Sequence, residues 1–178
     1  MIAEKLIIDC KKNQRQAQKE VYDLLSPRLY LTCKRYLKKE DEIEDALSES
    51  FYIIFSKINQ LKENGAFEGW AKRIAVNHCL LQIKKKVNFN MYLDDVKTIL
   101  QPLSPEMTDL ETEDLMNLLN FIPKGCRTIF TLFAIEGYNH KEIAEQLQIS
   151  EGTSKSQLNV AKTKLKDLVN NLYYQKAT

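Results

Sequence analysis

The last third of the chain carries a stripe of side chains whose spacing allows only one kind of secondary structure. Small or apolar residues recur in steps of 4, 3, 4, 3 and 4: Ser154, Leu158, Ala161, Leu165, Leu168 and Leu172. Steps of three and four residues place side chains on one face of an α-helix and not on one face of a strand. The stripe therefore predicts a long helix over about 151–172.

A shorter helix is predicted directly before it, over about 140–147. Ile143 and Leu147 form an apolar ridge there, and the small Ala144 lets another helix cross closely. Ser150 can cap the helix that follows. Two helices joined by so short a turn are typical of a helix-turn-helix, whose second helix reads the major groove of DNA. The alternative is a three-helix bundle that binds protein and has an ordinary solvated polar face.

The second helix is predicted to turn short polar and basic groups away from its stripe: Gly152, Lys155, Ser156, Asn159, Lys162 and Lys166. Polar side chains of this kind can read the edges of bases, and lysines can neutralise phosphates. The pattern therefore favours DNA as the ligand of this segment.

The rest of the chain is also predicted to be helical. Apolar stripes of helical spacing occur within residues 21–37, 43–58, 68–86 and 115–122, and Ser26-Pro27 is expected to begin a new helix. Only 5 glycines and 4 prolines in 178 residues leave little material for the many turns of a β-sandwich. We therefore expect an all-α fold.

Charge divides the chain into three parts. Residues 1–86 carry a net charge of +5, residues 87–114 a net charge of −6, and residues 115–178 a net charge of +3. The acidic part also holds two of the four prolines, which is typical of a linker. We expect two small helical domains joined by an acidic linker: 1–88, 89–113 and 114–178. The basic parts predict contacts with a polyanion, and the linker is either a solvated tether or a segment that lies along a basic channel of a partner.

Metal-binding and catalytic patterns are missing from the sequence. The four cysteines stand far apart and form no CxxC or CxxH pair: Cys10, Cys33, Cys79 and Cys126. We expect them to be reduced, buried and without a metal. No nucleophile, metal-ligand or glycine-rich phosphate pattern surrounds His78 or His140. The sequence therefore predicts neither a catalytic residue nor a cofactor, and no enzyme.

Membrane segments are not predicted either. The longest aromatic and aliphatic run, residues 51–55, is far shorter than the roughly 20 apolar residues of a membrane helix. The N-terminal residues contain acids within a brief apolar patch and do not form a secretory signal. These features predict a cytoplasmic protein without direct membrane insertion.

Two further patterns lie in the N-terminal part. An acidic cluster that includes Asp45 and Glu49 lies on the helix of residues 43–58, opposite its apolar stripe; it is either a docking surface for a basic partner or a solvated face. Aromatic Phe67 and Trp70, followed by basic residues, suit unstacked single-stranded bases, although both rings could instead belong to the core.

Four segments in a fixed order resemble the motifs of one family. Residues 45–51 (DALSESF) resemble D-x-x-Q-E-x-F, and residues 67–77 (FEGWAKRIAVN) resemble F-x-x-W-L-x-R-I-A-x-N. Residues 122–144 resemble LP…RxVF…xEGxSxKEIA, and residues 152–156 (GTSKS) resemble GTVKS. The chain thus resembles bacterial RNA polymerase sigma factors of the small extracytoplasmic-function (ECF) type, in the sigma-70 family. A stand-alone helix-turn-helix regulator of transcription is the alternative.

The resemblance implies a sigma factor that directs core RNA polymerase to specific promoters and aids promoter opening in transcription initiation. It implies that domain 1–88 binds the β′ clamp and β subunits of the core through Asp45, Ser48, Glu49 and Phe51. It implies that the same domain binds the −10 element through Leu61, Lys62, Asn64, Phe67, Trp70, Arg73 and Asn77. Domain 114–178 would bind the −35 element through Thr153, Lys155, Ser156, Gln157, Asn159 and Lys162. An anti-sigma factor is implied as a further partner.

Overall fold

The computed structural model describes residues 2–86 and 118–176, which contain seven α-helices and no strand. The chain divides into two compact units, Met1–Lys86 and Val87–Thr178. The first unit contains α1 (Glu4–Lys11), α2 (Arg15–Lys34), α3 (Glu40–Lys57) and α4 (Phe67–Lys86). The second contains α5 (Lys124–Phe130), α6 (His140–Leu147) and α7 (Glu151–Lys176). The all-α prediction is confirmed for these residues, and the predicted acidic linker, residues 89–113, lies outside them.

The N-terminal unit is built on three mutually packed helices. α2, α3 and α4 contact one another, and α1 packs on α2. The predicted stripe of α3 lies inside, because its members Ile43, Ala46 and Ile54 are all buried. On α4 the buried side is formed by Ala71, Ala75, Val76, Cys79, Leu80 and Ile83. The small alanines let α4 approach its neighbours closely.

Pro27 lies inside a helix, and the prediction that Ser26-Pro27 begins a new one is wrong. α2 continues through the proline to Lys34. Pro27 has no N–H to donate to the carbonyl group four residues earlier, so the helix loses one hydrogen bond there. The buried stripe nevertheless continues on both sides, with Val21 and Leu25 before the proline and Leu29 after it. Burial of this face against α3 and α4 outweighs the local preference of proline for a first turn.

Replacing Pro27 by alanine should therefore stabilise the N-terminal unit. The change restores a backbone donor within α2, and we expect the free energy of unfolding to rise by about 1–2 kcal/mol. Urea denaturation followed by circular dichroism measures this. Lys19→Ala, at an exposed position of the same helix, should change stability by less than about 0.5 kcal/mol. A Pro27→Ala chain less stable than wild type would show that the proline relieves strain.

The C-terminal unit has a core of its own. Six buried residues contact one another in it: Leu118, Leu119, Ile122, Cys126, Ala161 and Leu165. α5 starts directly after Pro123, continues as a π-helical turn over Thr131–Ile135, and is followed by Gly137 at a φ of +77°. Glycine adopts this left-handed conformation without steric cost, so the chain can reverse direction before α6.

All four cysteines are free and buried, as predicted. Burial raises the pKa of the Cys10 thiol to about 11. The pKa of Cys79 is also raised, because its thiol is hydrogen-bonded to Cys33 and shielded from water. The thiols therefore act as small apolar groups between the helices.

Candidate nucleic-acid interface

α6 and α7 form the predicted helix-turn-helix, and local signals define both ends of its turn. α6 begins with a capping box, in which the Asn139 side chain accepts from the Glu142 N–H and Glu142 accepts from the Asn139 N–H. The turn contains Gln148 in the left-handed region, at a φ of +56°. Ser150 then caps α7, because its Oγ accepts from the Thr153 N–H at 2.9 Å.

The outer face of α7 is polar and basic. Four of the six residues predicted to contact the −35 element are exposed: Lys155, Ser156, Asn159 and Lys162. The Lys155 ammonium lies 3.8 Å from a Glu151 carboxylate oxygen, and both side chains remain largely exposed. The Lys162 ammonium lies 5.7 Å from the centre of the Phe133 ring. Such a face can place amines on phosphates and short polar groups on base edges.

Two predicted contact residues of α7 are partly withdrawn from this face. Thr153 is half-buried, and its hydroxyl is within hydrogen-bond distance of Ser150. Gln157 is also half-buried, and its Oε1 accepts a hydrogen bond from the Cys126 thiol at 2.7 Å. Gln157 therefore joins α7 to α5 and has its carbonyl oxygen committed to the protein, so we interpret it as a residue that joins the two helices and not as one that reads bases.

Gln157→Ala is accordingly expected to act on stability and not on DNA sequence preference. Loss of the hydrogen bond to Cys126 should lower the free energy of unfolding of the C-terminal unit by about 1 kcal/mol. Urea denaturation and competition binding with duplexes altered in the −35 element separate the two effects. Asn159→Ala, at an exposed position two residues later, should do the reverse. A shift of base preference in Gln157→Ala as large as in Asn159→Ala would contradict this placement.

Ser154 is a fully buried polar residue of α7, at a position where the family pattern has an apolar one. Its exposure is 0%, and its hydroxyl lies 2.9 Å from Nδ1 of His140. The His140 ring stacks on Phe133, with ring centres 4.7 Å apart. This contact ties the first turn of α6 to the first turn of α7. Sequence reasoning considered His140 only as a catalytic candidate and missed this role.

In the N-terminal unit, one side of α4 offers aromatic and polar groups. Trp70 and Asn77 are half-buried, and Arg73 is exposed beside them. Lys62 is exposed on the loop that precedes α4. Leu81 lies one turn after Asn77 on the same side of α4, and half of its surface is exposed although the side chain is apolar. A π-face, an amide and two cations on one surface suit unstacked bases and their phosphates.

Three residues predicted to contact a partner are buried instead. Leu61 is 8% exposed, Phe67 is 1% exposed, and Phe51 is 4% exposed. Phe67 lies under Trp70, with ring centres 6.1 Å apart, and Phe51 packs on the rings of Tyr22 and Phe55. Side chains buried this deeply have almost no exposed surface for a partner. Their predicted contact roles are therefore corrected: they pack in the core beneath the residues that face the partner.

Asn64 is half-buried, and its amide is held by α1. Its Oδ1 accepts from the Lys11 ammonium at 2.8 Å, and its Nδ2 donates to Glu4 at 3.0 Å. Arg73 and Lys62 are the exposed cations nearest to Trp70 in sequence.

The acidic cluster lies on the exposed side of α3. Asp45, Ser48 and Glu49 are all exposed, as a docking surface requires. Tyr52 follows one turn after Ser48 and is 72% exposed, the largest value among the exposed large hydrophobic residues of the described chain. An exposed aromatic residue on the solvent side of a helix is a signal of a contact surface, so Tyr52 extends the candidate docking surface.

No group of three or more histidine, cysteine or acidic side chains in residues 2–86 and 118–176 is arranged to hold a metal ion. Every helix in those ranges is too short or too polar to cross a lipid bilayer.

Family models match both units. Residues 21–88 match the model of Sigma-70 region 2, and residues 112–165 match the model of Sigma-70, region 4. The chain is 26% identical to the ECF RNA polymerase sigma factor SigW of Bacillus subtilis, over 97% of this chain and 99% of that protein. It is 27% identical to the ECF RNA polymerase sigma-E factor of Haemophilus influenzae, over 81% of this chain and 85% of that protein.

Two solved structures share the fold. The sigma factor RpoE from Bartonella quintana, in complex with the anti-sigma factor NepR, aligns at a TM-score of 0.52 and 21% identity, covering 85% of this chain and 96% of that one. CnrH, in complex with the cytosolic domain of CnrY, aligns at a TM-score of 0.54 and 16% identity, covering 94% and 97%.

Proposed function

Because this chain belongs to the sigma-70 family, as a sigma factor of the ECF type that acts in transcription initiation, we propose how its two units divide that work. The N-terminal unit binds core RNA polymerase and captures bases of the −10 element, and the C-terminal unit reads the −35 element as duplex. The observation that carries this division is the order of the two matches: region 2 covers α2 from residue 21 onward, α3 and α4, and region 4 covers α5, α6 and α7 up to residue 165.

The polymerase-binding surface is the exposed acidic side of α3. Asp45, Ser48 and Glu49 make the contact, with Tyr52 beside them and Phe51 supporting them from the core. Carboxylates fit a basic helical surface of a partner and speed its encounter. The β′ clamp and the β subunit are the partners proposed for this unit.

The two DNA-binding surfaces differ in the form of DNA they suit. Lys62, Trp70, Arg73 and Asn77 meet unstacked −10 bases, since an aromatic face and cations serve single strands. On α7 the exposed polar and basic residues, with Thr153 at their edge, enter the major groove of the −35 element. The segment 89–113 connects the two DNA-binding units, so that binding of one unit raises the effective concentration of the other at its own promoter element.

An anti-sigma factor is proposed as a regulatory partner. Of the two solved structures of similar fold, one contains the anti-sigma factor NepR and the other contains the cytosolic domain of CnrY. The chain has no chemistry of its own in this scheme, because the polymerase makes the RNA. A cytoplasmic location follows from that partnership.

Co-elution of the purified chain with bacterial core RNA polymerase, followed by run-off transcription, tests the proposal. We expect a stable complex and initiation at promoters that the core alone ignores. Tight sequence-specific duplex binding without any complex with polymerase would instead identify a stand-alone helix-turn-helix regulator.

A further inference from the structure

Helix α1 is tied to the loop that precedes α4 by one lysine. The Lys11 ammonium donates to the Leu61 carbonyl oxygen at 3.0 Å and to Asn64 Oδ1 at 2.8 Å. These two acceptors lie at the start and in the middle of the segment 61–66, so one cation holds two points of the same short loop. The lysine and the loop are 50 residues apart in sequence.

Glu4 completes the arrangement on the first turn of α1. Its Oε1 accepts from Asn64 Nδ2 at 3.0 Å. A lysine ammonium only donates and an ionised carboxylate only accepts, so the amide of Asn64 can take only one orientation. Asn64 was predicted to read a base, but its oxygen is held by α1, and its amide serves first to fix the loop.

α1 packs against the rest of the N-terminal unit. Ile7 and Cys10 of α1 are buried. The Ile2 N–H donates to Glu68 Oε1 at 2.7 Å, and Arg28 Nη1 donates to Glu68 Oε2 at 2.7 Å. These donors hold the pKa of Glu68 below its usual range. A cavity of about 300 Å³ lies at the same junction and takes its walls from both α1 and the loop.

We propose that Lys11 is a positioning residue for promoter opening, through which α1 holds loop 61–66 in the conformation that captures −10 bases. This inference rests on the proposed function of the N-terminal unit. A loop with Gly65 near its tip would otherwise sample many conformations, and ordering it on DNA would weaken binding. The hydrogen bonds from Lys11 and Glu4 order the loop when the unit folds. Lys62 and the neighbouring face of α4 are therefore already in position when the bases unstack.

Lys11→Met removes the ammonium and keeps most of the chain length. The holoenzyme with this variant should bind a single-stranded −10 oligonucleotide, taken from a promoter that wild-type holoenzyme opens, about tenfold more weakly. Lys12→Met is the matched control: the same charge is lost one residue later, where the side chain is 64% exposed and pairs only loosely with Asp9 at 3.8 Å. It should change binding less than about twofold.

Three further measurements separate positioning from folding and from direct phosphate contact. Lys11→Arg keeps a cation with several donors and should recover most of the oligonucleotide binding. Affinity for core polymerase, which depends on α3, should be unchanged in Lys11→Met. The Lys11→Met/Asn64→Ala double variant should lose less binding than the two single losses combined, since part of the effect of the lysine runs through that amide and the rest through the Leu61 carbonyl.

Equal behaviour of Lys11→Met and Lys12→Met, with an active wild type, would overturn the inference and leave the proposed function intact. An equal loss of core affinity in Lys11→Met would overturn it too, because the lysine would then serve only the stability of the unit. A wild-type chain that binds no core polymerase would instead remove the proposed function itself.

Discussion

Asp45→Lys should abolish co-elution with core RNA polymerase and, with it, promoter-dependent transcription. Asp45 lies in the middle of the exposed acidic side of α3, between Asp41 and Glu49. A lysine there replaces attraction to a basic surface by repulsion, which we expect to weaken the complex more than about a hundredfold. Gel filtration with purified core, and run-off transcription at a promoter active with wild type, measure the two losses.

The matched control is Asp23→Lys, which makes the same charge change at an exposed position of α2, outside the acidic cluster. Core binding should survive in this variant. Duplex binding by the C-terminal unit should be the same in both variants. If Asp45→Lys still bound core with nearly wild-type affinity, the acidic side of α3 would be an ordinary solvated face.

Asn77→Ala should slow promoter opening by about 10- to 100-fold and leave binding of −35 duplex nearly unchanged. The amide lies seven residues after Trp70, on the side of α4 that turns away from the core. Loss of a hydrogen-bonded base contact of this kind costs roughly that factor. Permanganate reactivity of −10 thymines reports opening, and competition with −35 duplex reports closed binding.

Gln82→Ala serves as the control on the same helix. Its amide is within hydrogen-bond distance of the His78 ring, 3.2 Å away on the same helix. Opening should be close to the wild-type rate in that variant. Equal losses of opening and of duplex binding in Asn77→Ala would show that the amide supports the fold and does not read a base.

The helices could be predicted from the sequence because their signals are local. The steps of three and four residues along α7, and the polar residues Asn139 and Ser150 before α6 and α7, act within one or two turns. Pro27 misled the prediction for the same reason: its preference for a first turn is local, while burial of the α2 stripe against two other helices decides the outcome.

The depth of individual side chains could not be predicted from helical spacing. Leu61 and Phe67 were expected to contact DNA because the family resemblance marks their segments, but both side chains are buried. Gln157 meets a thiol 31 residues away, and Lys11 meets an amide 53 residues away. No periodic pattern links positions so distant, so these contacts appear only when the chain is folded.

The two units keep separate cores, and this bears on how such a chain can change over generations. A substitution in the core around Leu118 and Leu165 costs stability where it occurs, and effects at distant independent sites add without coupling. Under the division of work proposed above, substitutions in one unit can change its preference for one promoter element while the other unit keeps its preference for the other element. New pairs of recognised sequences can then arise one half at a time.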